Sequence, residues 1–133
     1  MNRRKTRDIA MKLLFEMSIN KEDYMSTIES FKENAEVKLE DVDFSYIIRI
    51  LKNVNDNLDL INETISNNLV KWKIDRISKI NLSILKLAVC EILFEEDIPN
   101  KVSLNEAIEL AKKYGEDNSA SFVNGVLNSI IKK

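Results

Sequence analysis

Histidine is absent from the 133 residues, and cysteine and proline occur once each, glycine twice. Each shortage closes off some chemistry. Without histidine the chain lacks the commonest general base and metal ligand, and one cysteine makes neither a zinc site nor an internal disulfide. Two glycines, at positions 115 and 125, cannot build a glycine-rich phosphate loop. With so few turn formers and few alternating β-branched runs, hairpins and sheets lack their material, and an all-α fold is expected. No run reaches the roughly 18 apolar residues that a membrane span needs, and no apolar leader precedes the first charges. A lone Cys90 within an apolar run fits a reduced, cytoplasmic setting, so a soluble, unprocessed protein without membrane association is expected. The acidic residues fall mostly on amphipathic faces, where solvation explains them better than paired acid–base work. Neither catalysis, nor a metal, nor a cofactor is expected.

What is present is an amphipathic chain with polarised charge. Hydrophobic residues make up 44% and charged residues 32%, enough for one domain with a true core. The net charge of −2 conceals a start, residues 1–12, of +4 from Arg3, Arg4, Lys5, Arg7 and Lys12 against Asp8. Residues 13–43 sum to −6 and the remainder to zero. A basic head on an acidic chain suits either a polyanion at one place or a merely solvated terminus.

The first helix is expected from Arg3 or Thr6 to Ser18, burying Ile9, Ala10, Leu13, Leu14 and Met17. Its cations crowd the positive end of the helix dipole, which costs a few tenths of a kcal/mol and points to a phosphate backbone as their counterpart. Helical spacing sets Arg4, Arg7, Met11 and Phe15 on one flank, an aromatic beside basic groups as in single-stranded RNA binders, although Phe15 also suits a core. A weaker helix is expected over Met25–Ala35. A long one then begins at Asp41 or Asp43, with Ile47, Leu51, Val54, Leu58, Ile61 and Ile65 as a heptad seam. Around Trp72, Asp75 and Arg76 the pattern breaks into a linker or a single helical turn. Ser78 can cap the next helix, which is apolar on almost every side from Ile80 to Phe94, with Lys79, Ser83 and Lys86 as its polar stripe. Glu91 inside that run requires a partner or an opening. Pro99 ends the segment, and Ser103 with Glu106 has the spacing of a capping box, with Val102 and Ala107 as its staple. Gly115 is placed for a left-handed C-cap, Asp117 or Ser119 for the next N-cap, and Gly125 for close approach of another backbone. A single domain over residues 1–133 is expected, with a three-helix lobe over 1–70 and a C-terminal helical lobe over 71–133.

The run SILKLAVCEILFEEDIPNKVSLNEAIELAKKYGEDNSASFVNGVLNSI resembles the C-terminal half of the NusB family of bacterial transcription antitermination factors. The start, RRKTRDIAMKLLFEM, is similar to that family's arginine-rich first helix. The resemblance covers essentially the whole chain, and IP-x-KV, NEAIELAK and FVNGVL are together highly specific. It implies a compact bundle of about seven helices in two packed lobes. It also implies binding of boxA RNA of ribosomal RNA leader transcripts jointly with NusE, a small-subunit ribosomal protein, in a complex that helps RNA polymerase pass terminators. Carried over by position, the RNA-facing residues are Arg3, Arg4, Lys5 and Arg7, with Asn118 and Phe122 as C-terminal contacts, and the partner-facing ones Asp75, Arg76 and Asn81. Family members often carry an acidic residue where this chain has Asn118. Phe122 opens an apolar helix face and so also suits the core. A protein adaptor without RNA binding and a detached lobe of an RNA-modifying enzyme are the competing readings.

Overall fold

The computed structural model describes residues 2–36, 38–71 and 73–132. Trp72, expected in the linker, lies outside them. Among the described residues there are seven α-helices and no strand: α1 (Arg3–Asn20), α2 (Tyr24–Asn34), α3 (Phe44–Asp56), α4 (Leu58–Ser66), α5 (Lys79–Phe94), α6 (Asn100–Tyr114) and α7 (Ser119–Ile131), with a single 3-10 turn at Ile74–Arg76. No helix among these residues is long and apolar enough to cross a membrane.

Four helix starts are closed by short polar side chains that accept an otherwise orphaned amide: Asn2 from Lys5, Asp23 from Ser26, Asp43 from Tyr46 and Ser78 from Asn81. The long helix expected over residues 43–65 is two helices. Asn57 leaves the helical region at φ −125°, ψ 29°, and its side-chain amide competes with its own backbone N–H for the Asn53 carbonyl, each at 3.0 Å. Leu58 of the expected seam is consequently 40% exposed, whereas Ile61 and Ile65 on the second segment are fully buried. Residues 1–70 therefore hold four helices rather than three.

The apolar segment is the central helix. α5 packs against α1, α3, α4, α6 and α7, and buries Ile84, Leu85, Leu87, Val89 and Cys90 among them. Each buried Leu or Ile contributes roughly 1.5–3 kcal/mol relative to exposure, so α5 anchors the bundle. Both halves of the chain share one continuous core. Ser83, expected on an exposed polar stripe, is buried, and its hydroxyl donates to the Lys79 carbonyl at 2.7 Å.

The α6–α7 hairpin departs from its expected chemistry at three points. α6 begins at Asn100, directly after Pro99, so Ser103 lies inside the helix and caps nothing. Val102 is 39% exposed and staples nothing. Gly115 is extended (φ −91°, ψ −174°), not left-handed. A Cβ there would collide with the Ser119 side chain and lie 2.8 Å from the Ala111 carbonyl oxygen, so space rather than φ requires glycine. Gly125 is exposed with open space around it, and no backbone approaches. Neither Asp117 nor Ser119 caps α7. Asn118 stands at the cap position without a side-chain bond, and the Ser119 hydroxyl instead accepts the Glu116 amide at 2.9 Å.

Candidate nucleic-acid interface

The basic head divides into exposed and internally paired groups. Arg3 and Arg4 are exposed on the first turn of α1. The Arg4 side chain remains 73% exposed although its Nε lies 3.2 Å from Glu106 Oε1. Lys5 turns back onto the loop before α3, with its Nζ 2.7 Å from Asp41 Oδ1 and 2.6 Å from the Lys38 carbonyl. Together with the Asn2 amide donating to the Asp41 carbonyl at 2.8 Å, this ties the start of the chain to that loop.

Arg7, expected to face RNA, is buried instead. Its side chain is 7% exposed, with Nε 2.8 Å and Nη2 3.3 Å from the two oxygens of Glu91, itself 1% exposed. The Tyr46 hydroxyl donates to Glu91 Oε2 and the Ser103 hydroxyl to Oε1 at 2.7 Å, so one carboxylate joins α1, α3, α5 and α6. Burial disfavours the Arg7 charge, but the hydrogen bond and attraction to Glu91 outweigh it and hold its pKa above the ordinary value. Burial pushes the Tyr46 phenol up, and the neighbouring Glu91 charge pushes it further. This is the partner that Glu91 required.

A second cationic group, which sequence reasoning missed, comes from the last turn of α6. Lys113 Nζ lies 2.7 Å from Asp8 on α1, the Tyr114 hydroxyl donates to the same carboxylate at 2.7 Å, and Lys12 Nζ lies 3.2 Å away. Burial raises the Asp8 pKa, but bonds from Lys113, Tyr114 and Lys12 outweigh it and hold the carboxyl below its usual range. Arg4, Lys5, Lys12 and Lys113 thereby line one open groove of about 980 Å³ between α1, the end of α2 and α6, and Asp8, Glu16, Glu36, Glu106 and Glu109 line it with them. The aromatic beside these cations is Tyr114, with Lys12 and Lys113 each 5.1 Å from its ring centroid. Met11 is 1% exposed and Phe15 half-buried.

Four residues after Tyr114 the chain reaches Asn118, exposed at the start of α7. Phe122 is half-buried and packs against the core. Asp75 and Arg76 are exposed on the 3-10 turn. Asn81 follows in the first turn of α5, its amide donating to Ser78 Oγ at 3.1 Å while its own Oδ1 is buried with no hydrogen-bond partner. The described residues contain no cluster of Cys, Asp and Glu suited to a metal.

Fold and site together define a helical module whose first turn exposes two arginines beside a groove of mixed charge between α1 and α6. Residues 4–132 match the NusB family. The chain belongs to that family. It is 58% identical to the transcription antitermination protein NusB of Clostridium novyi over 132 residues, covering 99% of both chains. It superposes on NusB of T. maritima with a TM-score of 0.88 at 36% identity, over 100% of this chain and 92% of the other. It also superposes, with a TM-score of 0.85 at 25% identity over 98% and 96% of the two chains, on a chain in the crystal structure of the antitermination factors NusB and NusE in complex with double-stranded RNA.

Proposed function

We propose that this chain is an RNA-binding transcription antitermination factor that recognises boxA of ribosomal RNA leader transcripts together with NusE, and so helps RNA polymerase read through terminators. The observation that carries the reading is the near-complete superposition on a chain from a complex of NusB, NusE and RNA, together with the exposed cations at the start of α1. Arg3 and Arg4 contact phosphate. Lys5 positions the start of α1 through Asp41, and Arg7 holds α1 on the core, so neither acts chiefly on RNA. Asn118 lines the RNA path at the start of α7, where free amides favour an anion, and Phe122 offers its exposed edge to a base. Asp75, Arg76 and Asn81 face NusE. A buried carbonyl oxygen without a donor costs about 1–3 kcal/mol, which a partner's donor at Asn81 Oδ1 would recover.

The internal pairing of Lys5 and Arg7 favours one second reading, a protein adaptor without RNA binding. A gel-shift titration with boxA-like and scrambled RNA, with and without NusE, separates the two. The antitermination reading expects preference for boxA, strengthened by NusE. Binding of NusE with no RNA shift under either condition supports the adaptor.

A further inference from the structure

Asp8 lies where α1 meets the end of α6, and its carboxylate, 14% exposed, receives Lys113, Lys12 and the Tyr114 hydroxyl. The Lys12 and Lys113 side chains are 56% and 63% exposed, and Tyr114 lies beneath both ammonium groups. Two ammoniums face one carboxylate. The negative end of the α6 dipole adds roughly −0.5 of a charge, so the group of Asp8, Lys12 and Lys113 itself remains positive, while Glu16 and Glu109 line the groove around it. Cations in the last turn of α6 are what that dipole favours, and Lys12 is the i, i+4 partner of Asp8 on α1, so two lysines share one carboxylate. Lysine stems lose considerable rotamer freedom when they are fixed, and here Asp8 and Tyr114 have already fixed both.

Arg4, Asp8 and Lys12 recur at four-residue steps and so form one stripe of α1, facing α6. From Arg4 to Lys12 that stripe rises about 12 Å. Beyond it the chain passes from Lys113 to the turn that carries Asn118. We infer that Lys12 and Lys113, held together by Asp8 and Tyr114, form a backbone-phosphate subsite that joins the Arg3–Arg4 end of the RNA path to the Asn118 turn. The inference rests on the RNA-binding reading above. Lysines meet phosphate as point charges and read no bases, so the subsite adds affinity equally to boxA and other sequences.

The test measures RNA affinity against salt for the full chain with boxA-like and scrambled RNA, comparing wild type, Lys12→Gln/Lys113→Gln and Arg3→Ala/Arg4→Ala. Removing one cation from a single-stranded phosphate backbone makes the slope of log K on log salt shallower by about 0.7, so the double lysine variant should differ by about 1.4, equally for both RNAs. Glutamine can still hydrogen-bond Asp8, and a circular-dichroism melt checks the fold. If the double variant does not fold, Lys12→Gln alone, which leaves Lys113 and Tyr114 on Asp8, must make the slope shallower by about 0.7. A wild-type slope in the lysine variants beside a shallower one in Arg3→Ala/Arg4→Ala overturns the subsite, leaving the lysines only to fasten α1 to α6. Unchanged slopes in every variant overturn both the subsite and the Arg3–Arg4 end of the path, and only the absence of RNA binding by the wild type overturns the RNA-binding reading itself.

Discussion

Glu91→Gln changes one atom's identity and almost no volume, yet it should be among the most damaging substitutions in the chain. The Glu91 carboxylate accepts from Arg7, Tyr46 and Ser103 in a site where both charged partners are almost wholly removed from solvent. A neutral amide leaves the Arg7 guanidinium buried without its counter-charge and turns two donors toward those already present. Breaking a buried pair from one side costs about 3–5 kcal/mol, against a total stability of about 5–15 kcal/mol for a domain. The corresponding fall in Tm is roughly 12–20 °C for a chain of this size. Urea melts followed by circular dichroism at 222 nm measure the loss. A cycle with Arg7→Met isolates the coupling: the double variant, with both charges gone, should be destabilised less than the sum of the singles. Arg7→Met should also retain the wild-type salt slope for RNA at temperatures where it is folded. A cost below about 1 kcal/mol for Glu91→Gln, or strictly additive singles, would refute the assignment of Arg7 to the core.

The two glycines should respond in opposite directions in the same melts: Gly115→Ala should cost about 1–3 kcal/mol because its Cβ meets Ser119 and the Ala111 carbonyl. Gly125→Ala, in open space, should stabilise by up to about 1 kcal/mol. Asn118→Asp should stabilise the start of α7 by a few tenths of a kcal/mol and weaken RNA binding several-fold at low salt, so equal affinity at low ionic strength would exclude this turn from the RNA path. Burial pushes the Cys90 thiol up to about 12 from an ordinary 9.0. The unfolded thiol therefore ionises first, and stability should fall as pH rises from about 9 toward about 12, while a thiol reagent at pH 8 should label Cys90 only at the rate of unfolding. Rapid labelling of the folded protein would contradict that burial.

Helix periodicity made most of the architecture readable, because an apolar stripe is a property of neighbours in sequence. The start of α1, the span of α2 and the central position of α5 all follow from local pattern. The break at Asn57 does not, since the seam Ile47 to Ile65 keeps its spacing across a single non-helical residue. Contacts between distant helices were the other blind spot. Ser103 and Glu106 have capping spacing, but the Ser103 hydroxyl is taken by Glu91 of α5 and the Glu106 carboxylate by Arg4 of α1. Arg7 carried a usable signal. It stands three, four and seven residues before Ala10, Met11 and Leu14, on the buried stripe itself, while Glu91 was a lone acid in an apolar run. The approach of Lys113 and Tyr114 to Asp8 had no such trace, because it depends on how α6 lies across α1.

The salt dependence of boxA-like RNA binding by wild type and Arg3→Ala/Arg4→Ala tests the central claim most directly, since these are the cations that the fold leaves on the surface at the start of α1. Removing both from the phosphate backbone should make the slope of log K on log salt shallower by about 1.4 for a single strand, with the urea midpoint almost unchanged. An identical slope in a folded double variant would contradict the account, because the basic head would then have no part in holding RNA.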